Sequence, residues 1–311
     1  EFEIILIKDS QQVLQLNDTD IRITEIEENG LHPGLRRNLA VKITKAEILA
    51  FLDDDTAPSK DWLDNAVRFI EKEGVDGVCG PIFQSENRLS FGNKISGAAN
   101  ESIFLEGFGV DIHEKKPAKF YNISLCNVVI KRCVWEAVGG FNEVANYYVD
   151  DTEFFYIACK KGFKFFSIPG LAISHCVEPF PLRYLKKKFI TRFHTGLNSL
   201  IFRKIFWDMP SIRLGYLAYP IVILCLLFCI HNWINLLIFL IIYFGLAFGF
   251  SFPWLNKDKK VFFLLPFVFL LTHVTIFSAF SLGNLYFLIK NKSFNIAVDY
   301  GRKRLENAGI I

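Results

Sequence analysis

The chain has 311 residues, of which 51% are hydrophobic and 15% aromatic, with 33 Phe; this is rich for a wholly soluble protein. Its net charge of +3 hides an asymmetry, because residues 1–175 hold 19 Lys and Arg against 27 Asp and Glu, while residues 176–311 hold 16 against 5. Bases that flank apolar runs, with no basic patch set in a nucleic-acid motif, speak against nucleic acid and for a membrane. The seven cysteines form no Cys-x-x-Cys pair and no His-x-Cys cluster, so neither a zinc site nor a disulfide framework is indicated.

The sequence opens without Met, directly on the apolar run Phe2–Ile7, and shows no signal peptide. A missing N-terminal segment is expected. Residues 1–175 alternate short β-like runs with helical stretches, the pattern of an α/β domain. Strands are expected at Glu3–Ile7, Ile21–Glu25, Ile48–Leu52, Gly77–Cys79 and Asn127–Ile130, and helices at about Leu35–Ile43 and Trp62–Glu73, the second stopped by Gly74. Residues 181–206 differ. Leu182, Leu185, Phe189, Phe193, Leu197 and Leu200 recur at helical spacing, with Arg183, Lys186, Lys187, Lys188 and Arg192 on other faces. The pattern suits a helix on an anionic membrane surface and equally an amphipathic helix packed on the domain.

From Leu214 to Leu255 no charged residue occurs, a length sufficient for two spans joined at His231, Asn232 and Asn235. Cys225 and Cys229 lie in this run as small hydrophobes. After Lys257–Lys260, a second uncharged run covers Val261 to Ile289, interrupted by Pro266, His273 and Gly283. It reads as one long span or as a broken or re-entrant helix. The bases before Leu214, at Lys257–Lys260 and at Lys290, Lys292 and Arg302–Arg304 all prefer the cytoplasm. That preference favours a third segment that does not cross. The expected organisation is a catalytic domain over 1–180, a basic amphipathic linker over 181–212, a membrane region over 213–290 and a basic cytoplasmic tail over 291–311.

The chemistry concentrates in Glu47–Trp62, "EILAFLDDDTAPSKDW". An apolar strand runs into Asp53, Asp54 and Asp55, and Pro58 stops the strand from continuing. Ligands of open α/β sheets sit at the carboxyl ends of strands. Alternate strand residues face one way, so Asp53 and Asp55 converge. Two such carboxylates repel unless a hard cation joins them, and Mg²⁺ or Mn²⁺ on a diphosphate is the natural solution. A second acidic cluster, Asp150, Asp151 and Glu153, has the composition of a helix N-terminus.

These motifs resemble the inverting glycosyltransferase family 2. "AEILAFLDDDTAPSKDWL" is similar to the family's "GEIIAFLDSDxxPxPDWL", "EFEIILIKDSQ" to "EIIVVDDGS", and "ENGLHPGLRRNLAVKITKAE" to "NxGxxxARNxGIxxAxGE". "NVVIKRCVWEAVGGFNE" and "YYVDDTEFFYIACKKGFKFFSIPGLAISH" extend the likeness to about residue 195. The resemblance implies a GT-A, Rossmann-like nucleotide-sugar-binding fold, an amphipathic linker helix and C-terminal transmembrane helices. It implies that Asp9 contacts the nucleotide base, with Lys8 in place of a family aspartate, and that Arg37 lies near the nucleotide. Asp53 and Asp54 then fall at the nucleotide-sugar, Asp55 with Asp53 on the metal, and Asn127 at donor sugar or acceptor. Asp151 matches the family's general base, with Asp150 in place of a glutamate, and His175 falls where a family histidine faces diphosphate or metal. A Q-x-x-R-W motif, the mark of processive polysaccharide synthases, has no counterpart; "KFITRFHTG" stands there. The expected activity is therefore transfer of a single sugar from a nucleotide-sugar to a lipid-linked or membrane-associated glycan, by a multi-pass membrane protein with a cytoplasmic catalytic domain. A polyprenyl-phosphate sugar synthase and an inactive sugar-nucleotide-binding scaffold are the alternatives.

Overall fold

The computed structural model describes residues 2–8, 21–28, 30–84, 90–102, 104–105, 114–144, 150–175, 177–213, 216 and 232–311. The N-terminal half runs β1 (Glu3–Lys8), β2 (Arg22–Glu27), α1 (Pro33–Ile43), β3 (Ile48–Leu52), β4 (Thr56–Pro58), α2 (Trp62–Glu73), β5 (Gly77–Cys79), β6 (Ile82–Gln84) and α3 (Phe91–Glu101). It continues through β7 (Lys116–Pro117), β8 (Asn127–Lys131), α4 (Arg132–Val138), α5 (Asp150–Lys160), β9 (Phe165–Ser167) and β10 (Ile173–His175). The C-terminal half is helical: α6 (Leu182–Ile201), α7 (Arg203–Trp207), α8 (Trp233–Ser251), α9 (Lys259–Lys290) and α10 (Asn295–Asn307).

A mixed five-stranded sheet of order β3-β8-β5-β9-β7 organises the domain. Its spine is β8, antiparallel to β3 on one side and to β5 on the other. Val128, Val129 and Ile130 of β8 are fully buried, which explains why that strand reads as an unbroken apolar run. A smaller sheet of order β4-β10-β6 places His175 opposite Thr56, one residue beyond the aspartate run. β1 and β2 pair in parallel, and Thr44 Oγ1 donates to Glu3 Oε1 at 2.5 Å, tying β1 to the end of α1. The strand and helix positions read from the sequence recur here to within two residues. Gly74 ends α2 with φ 63°, a left-handed conformation that glycine adopts without steric cost.

The fold is mixed α/β. One face of the main sheet carries a core in which Val128, Ile130, Phe141, Phe154, Phe155 and Phe206 meet, and α2 closes the other with Trp62, Ala66 and Ile70.

α6 lies on α9 in parallel. Tyr184 at its start clusters with Val261 and Leu265, and Gly196 near its end meets Phe280. A methyl group at Gly196 would overlap the Phe280 carbonyl oxygen, and one at Gly283 that of Phe193. Small residues thus let the two backbones approach closely. The apolar face of α6 is largely spent in this contact: Leu197 is buried, Leu185 packs in the same cluster as Tyr184, and Phe193 lies 5.8 Å from the Tyr286 ring. Leu182, by contrast, is 81% exposed.

α8 and α9 are long and apolar enough to cross a membrane. The first expected span, over 217–231, lies outside the described residues. The second uncharged run is not broken: Pro266, His273 and Gly283 all sit inside one helix of 32 residues. His273 is held within it, its ring nitrogens 2.9 Å from Tyr243 Oη of α8 and 2.9 Å from the Phe104 carbonyl. Residues of the expected tail form α10, which docks on the catalytic domain.

Candidate active site

β3 ends at Leu52 and the chain turns at once, because Thr56 donates both its backbone N–H and its hydroxyl to the Asp53 carbonyl, at 3.2 and 2.6 Å. Asp53, Asp54 and Asp55 project from this turn. Asp53 is half-buried and its neighbours are exposed. Burial raises the Asp53 pKa; Arg37 opposes the rise and Asp55 adds to it. Asp55 Oδ2 lies 3.1 Å from His175 Nε2, which β10 carries alongside β4.

The second cluster occupies the first turn of α5, where the helix dipole favours carboxylates. Arg37 of α1 joins the two clusters, donating to Asp150 Oδ2 at 2.6 Å and to Asp53 Oδ1 at 3.4 Å. Sequence positions 113 apart thereby meet in one cleft. Asp151 is half-buried, and its Oδ1 accepts from the Thr152 backbone N–H at 2.7 Å and hydroxyl at 3.3 Å. Burial first, then the neighbouring Asp150 charge, push its pKa up to about 6, against the Thr152 bonds and Arg37. A carboxylate so tuned is ionised at neutral pH and basic enough to take a proton. Cys126 packs against the core beneath α2, beside Ser124, and feels the charges of Asp53, Asp151 and Asp55. Burial raises its thiol to about 11, so it is inert there.

Glu153 faces the opposite way. It is fully buried, accepts from Asn142 Nδ2 at 2.5 Å, and accepts from Arg304 Nε of α10 at 3.2 Å. Arg304 also donates to the Gly140 carbonyl at 2.7 Å. The sequence reading counts Arg304 only among the tail bases and does not single out Asn142, Cys126 or His32, whose Nδ1 caps α1 by accepting from Gly34 N at 3.2 Å beside Asp150 and Arg37.

Asn127, placed by the resemblance at donor sugar or acceptor, is found in the interior. It is 1% exposed, and its carboxamide is committed to the Trp62 indole N–H at 2.9 Å and to the Leu171 and Pro81 carbonyls at 2.8 and 3.3 Å. It holds β8 to α2 and to the loop before β10, and does not face the cleft. Asp9 lies outside the described residues. Lys8 pairs with Glu25 across β1 and β2.

Among the described residues no three His, Cys, Asp or Glu side chains cluster as ready metal ligands. The Asp55 and His175 pair supplies one oxygen and one nitrogen donor at a separation that suits adjacent ligands of one divalent ion. Two protein donors fit Mg²⁺ or Mn²⁺, which commonly leave further positions to phosphate oxygens and water.

Comparison with known proteins finds likeness over part of the chain. A model of glycosyl transferase family 2 matches residues 1–136. Poly(ribitol-phosphate) beta-N-acetylglucosaminyltransferase TarS from Staphylococcus aureus (strain Mu50 / ATCC 700699) is 31% identical over 83 residues, 24% of this chain and 14% of TarS. The match spans about one-seventh of that relative. Among solved structures, TarS residues 1–349 superpose with a TM-score of 0.41 at 17% identity, covering 64% of this chain and 57% of that one. The mannosyltransferase PcManGT from Pyrobaculum calidifontis, solved with GDP-Man and Mn²⁺, superposes with a TM-score of 0.49 at 16% identity, covering 88% of this chain and 77% of that one.

Proposed function

We propose that this chain, whose residues 1–136 match the model of glycosyl transferase family 2, transfers a single sugar from a nucleotide-sugar, with inversion, to a lipid-linked or membrane-associated acceptor. The observation that carries this reading is the Arg37 bridge, which brings the strand-end aspartates and the α5 aspartates to one cleft. Asp53 and Asp54 lie at the donor, and Asp55 with His175 would hold a divalent ion on its diphosphate. A bound Mg²⁺ or Mn²⁺ supplies compensation for the charge that builds on the departing diphosphate.

Asp151 takes the proton of the acceptor hydroxyl as that oxygen bonds to the anomeric carbon. The bond from the anomeric carbon to the diphosphate oxygen breaks on the opposite face, and the nucleoside diphosphate leaves with the electron pair. Arg37 holds Asp150 away from Asp151 and so keeps a second negative charge partly neutralised beside the base. The acceptor side is attached to a membrane through α8 and α9, with the catalytic domain cytoplasmic.

The test is nucleotide release by the full chain in detergent, with UDP-GlcNAc and GDP-mannose as first donors, with and without Mn²⁺. One donor is expected to give Mn²⁺-dependent nucleotide release that Asp55→Ala abolishes. Release by Asp55→Ala that keeps its dependence on Mn²⁺ would remove Asp55 from the site.

A further inference from the structure

α9 is the longest helix described and is apolar through most of its length, yet both its start and the chain beyond its end are tied to the same domain. At its start, Asp258 pairs with Lys94 of α3 at 2.7 Å. Its first half packs with Ile95, Ala98 and Ala99 of α3 through Val261, Leu265 and Phe269. Farther along, Phe280 joins the cluster that holds Phe154 and Phe155 of α5. Beyond its end, after the turn at Asn291–Phe294, the following helix α10 brings Arg304 to Glu153 and the Gly140 carbonyl. The parallel helix α6 is strapped down in the same way, by Tyr184 Oη donating to Asn100 Oδ1 at 3.0 Å and by Phe202 in the main core.

A helix of 32 residues is about 48 Å long, against a hydrocarbon layer of about 30 Å. Were it to cross, its ends would emerge on opposite faces. The residues that receive those ends belong to one charged domain, which cannot be on both. One side of α9 is broadly exposed and apolar: Phe263, Phe267, Leu271, Val274, Leu282 and Leu285 are each 46–58% exposed, Leu264, Leu288 and Ile289 are exposed on the same side, and Phe267 borders Phe244 of α8. The first six form a stripe that recurs every three to four residues, or two such steps across Ser278, as one side of a helix does. Lys257, Lys259, Lys260 and Lys290 flank the stripe, and Arg183, Lys186 and Lys187 of α6 are exposed nearby, a charge set that suits anionic lipid headgroups.

We propose that α9 does not cross the membrane but lies in the plane of one leaflet, its stripe among the acyl chains and its other face on α3 and α6. This rests on the membrane attachment proposed above and adds its geometry. α6 and α9 then form a platform that holds the cleft at a fixed height over the surface where a lipid-linked acceptor resides.

The full chain, with protease sites before Glu1, between Asn256 and Lys257 and after Ile311, is reconstituted in sealed vesicles of phosphatidylethanolamine and phosphatidylglycerol. All three sites are expected to be cut together in the same vesicle population. Nitroxides placed by an unnatural amino acid at 263, 274 and 285 are expected to report one common shallow depth. Opposite sidedness of the Asn256 and Ile311 sites, or a label at 274 far deeper than those at 263 and 285, would overturn the in-plane helix and leave membrane attachment standing. Failure of the chain to float with the vesicles would overturn both. Neither result bears on donor binding in detergent, so the sugar-transfer reading fails or survives separately.

Discussion

The two acidic clusters use the same side chains in opposite settings. Asp53, Asp54 and Asp55 stand on a tight turn at a strand end, open enough for a ligand to approach. Asp150, Asp151 and Glu153 start a helix and are enclosed, with Arg37 on the cleft side and Arg304 behind. An exposed cluster can afford mutual repulsion because water screens it and a cation can join it. An enclosed one cannot, so a buried carboxylate takes an arginine, a raised pKa, or both. Asp150 has an arginine, Asp151 a raised pKa, and Glu153 both.

That contrast breaks most sharply at Asp151. Asp151→Asn keeps size and hydrogen bonding but cannot accept a proton, so turnover should fall by about 10²–10⁴ while donor affinity stays unchanged. Asp53→Asn should weaken donor affinity and turnover together. Kd for the donor and kcat measured side by side decide the matter. Near-normal turnover in Asp151→Asn would favour a phosphate acceptor, which needs no base.

Next in size is the arginine behind the helix. Arg304→Leu leaves Glu153 charged and fully buried without its cation, a loss of about 3–5 kcal/mol of stability. Adding Glu153→Gln should recover most of it, read as denaturation midpoints in detergent. A single variant as stable as the parent would show that α10 does not dock on α5. Because Arg304 leaves the reacting atoms untouched, donor affinity in whatever fraction stays folded should be normal.

These cases also show what the sequence could reveal. The turn at Asp53 was legible because everything that makes it is local: an apolar strand, three acids, a threonine and a proline. The strands β3 and β5 and the helix α2 matched residue for residue for the same reason. The two- and three-residue strands β4, β6, β7, β9 and β10 were not legible, since so short a segment is extended only because a partner strand pairs with it. Arg304 lies 151 residues from Glu153, and in the sequence it is one base in a basic tail. Asn127, which the resemblance places at donor sugar or acceptor, has internal partners that no local pattern reveals: three groups distant in sequence absorb its carboxamide. The sequence left the uninterrupted course of α9 as one of two alternatives because Pro266 and Gly283 ordinarily weaken helices, whereas here tight packing on α6 requires Gly283 to be small.

The smallest effect is a slope. Asp151 has a pKa of about 6 in the folded protein, against about 3.9 for an unperturbed aspartate. Only its ionised form can accept the acceptor proton, so kcat should climb about tenfold per pH unit up to pH 6 and level off above. Stability runs the other way. The folded chain holds this proton more tightly than the unfolded chain, so between about pH 4 and 6 this group's contribution to stability falls as pH rises. Activity and stability measured over the same range should therefore diverge. Arg37 holds the pKa down, so Arg37→Met should move the midpoint of the kcat profile upward, whatever it does to donor affinity. A midpoint that stays at the ordinary aspartate value in the parent, or that does not move in Arg37→Met, would mean that some other group sets the profile and that the enclosed cluster is not where the proton goes.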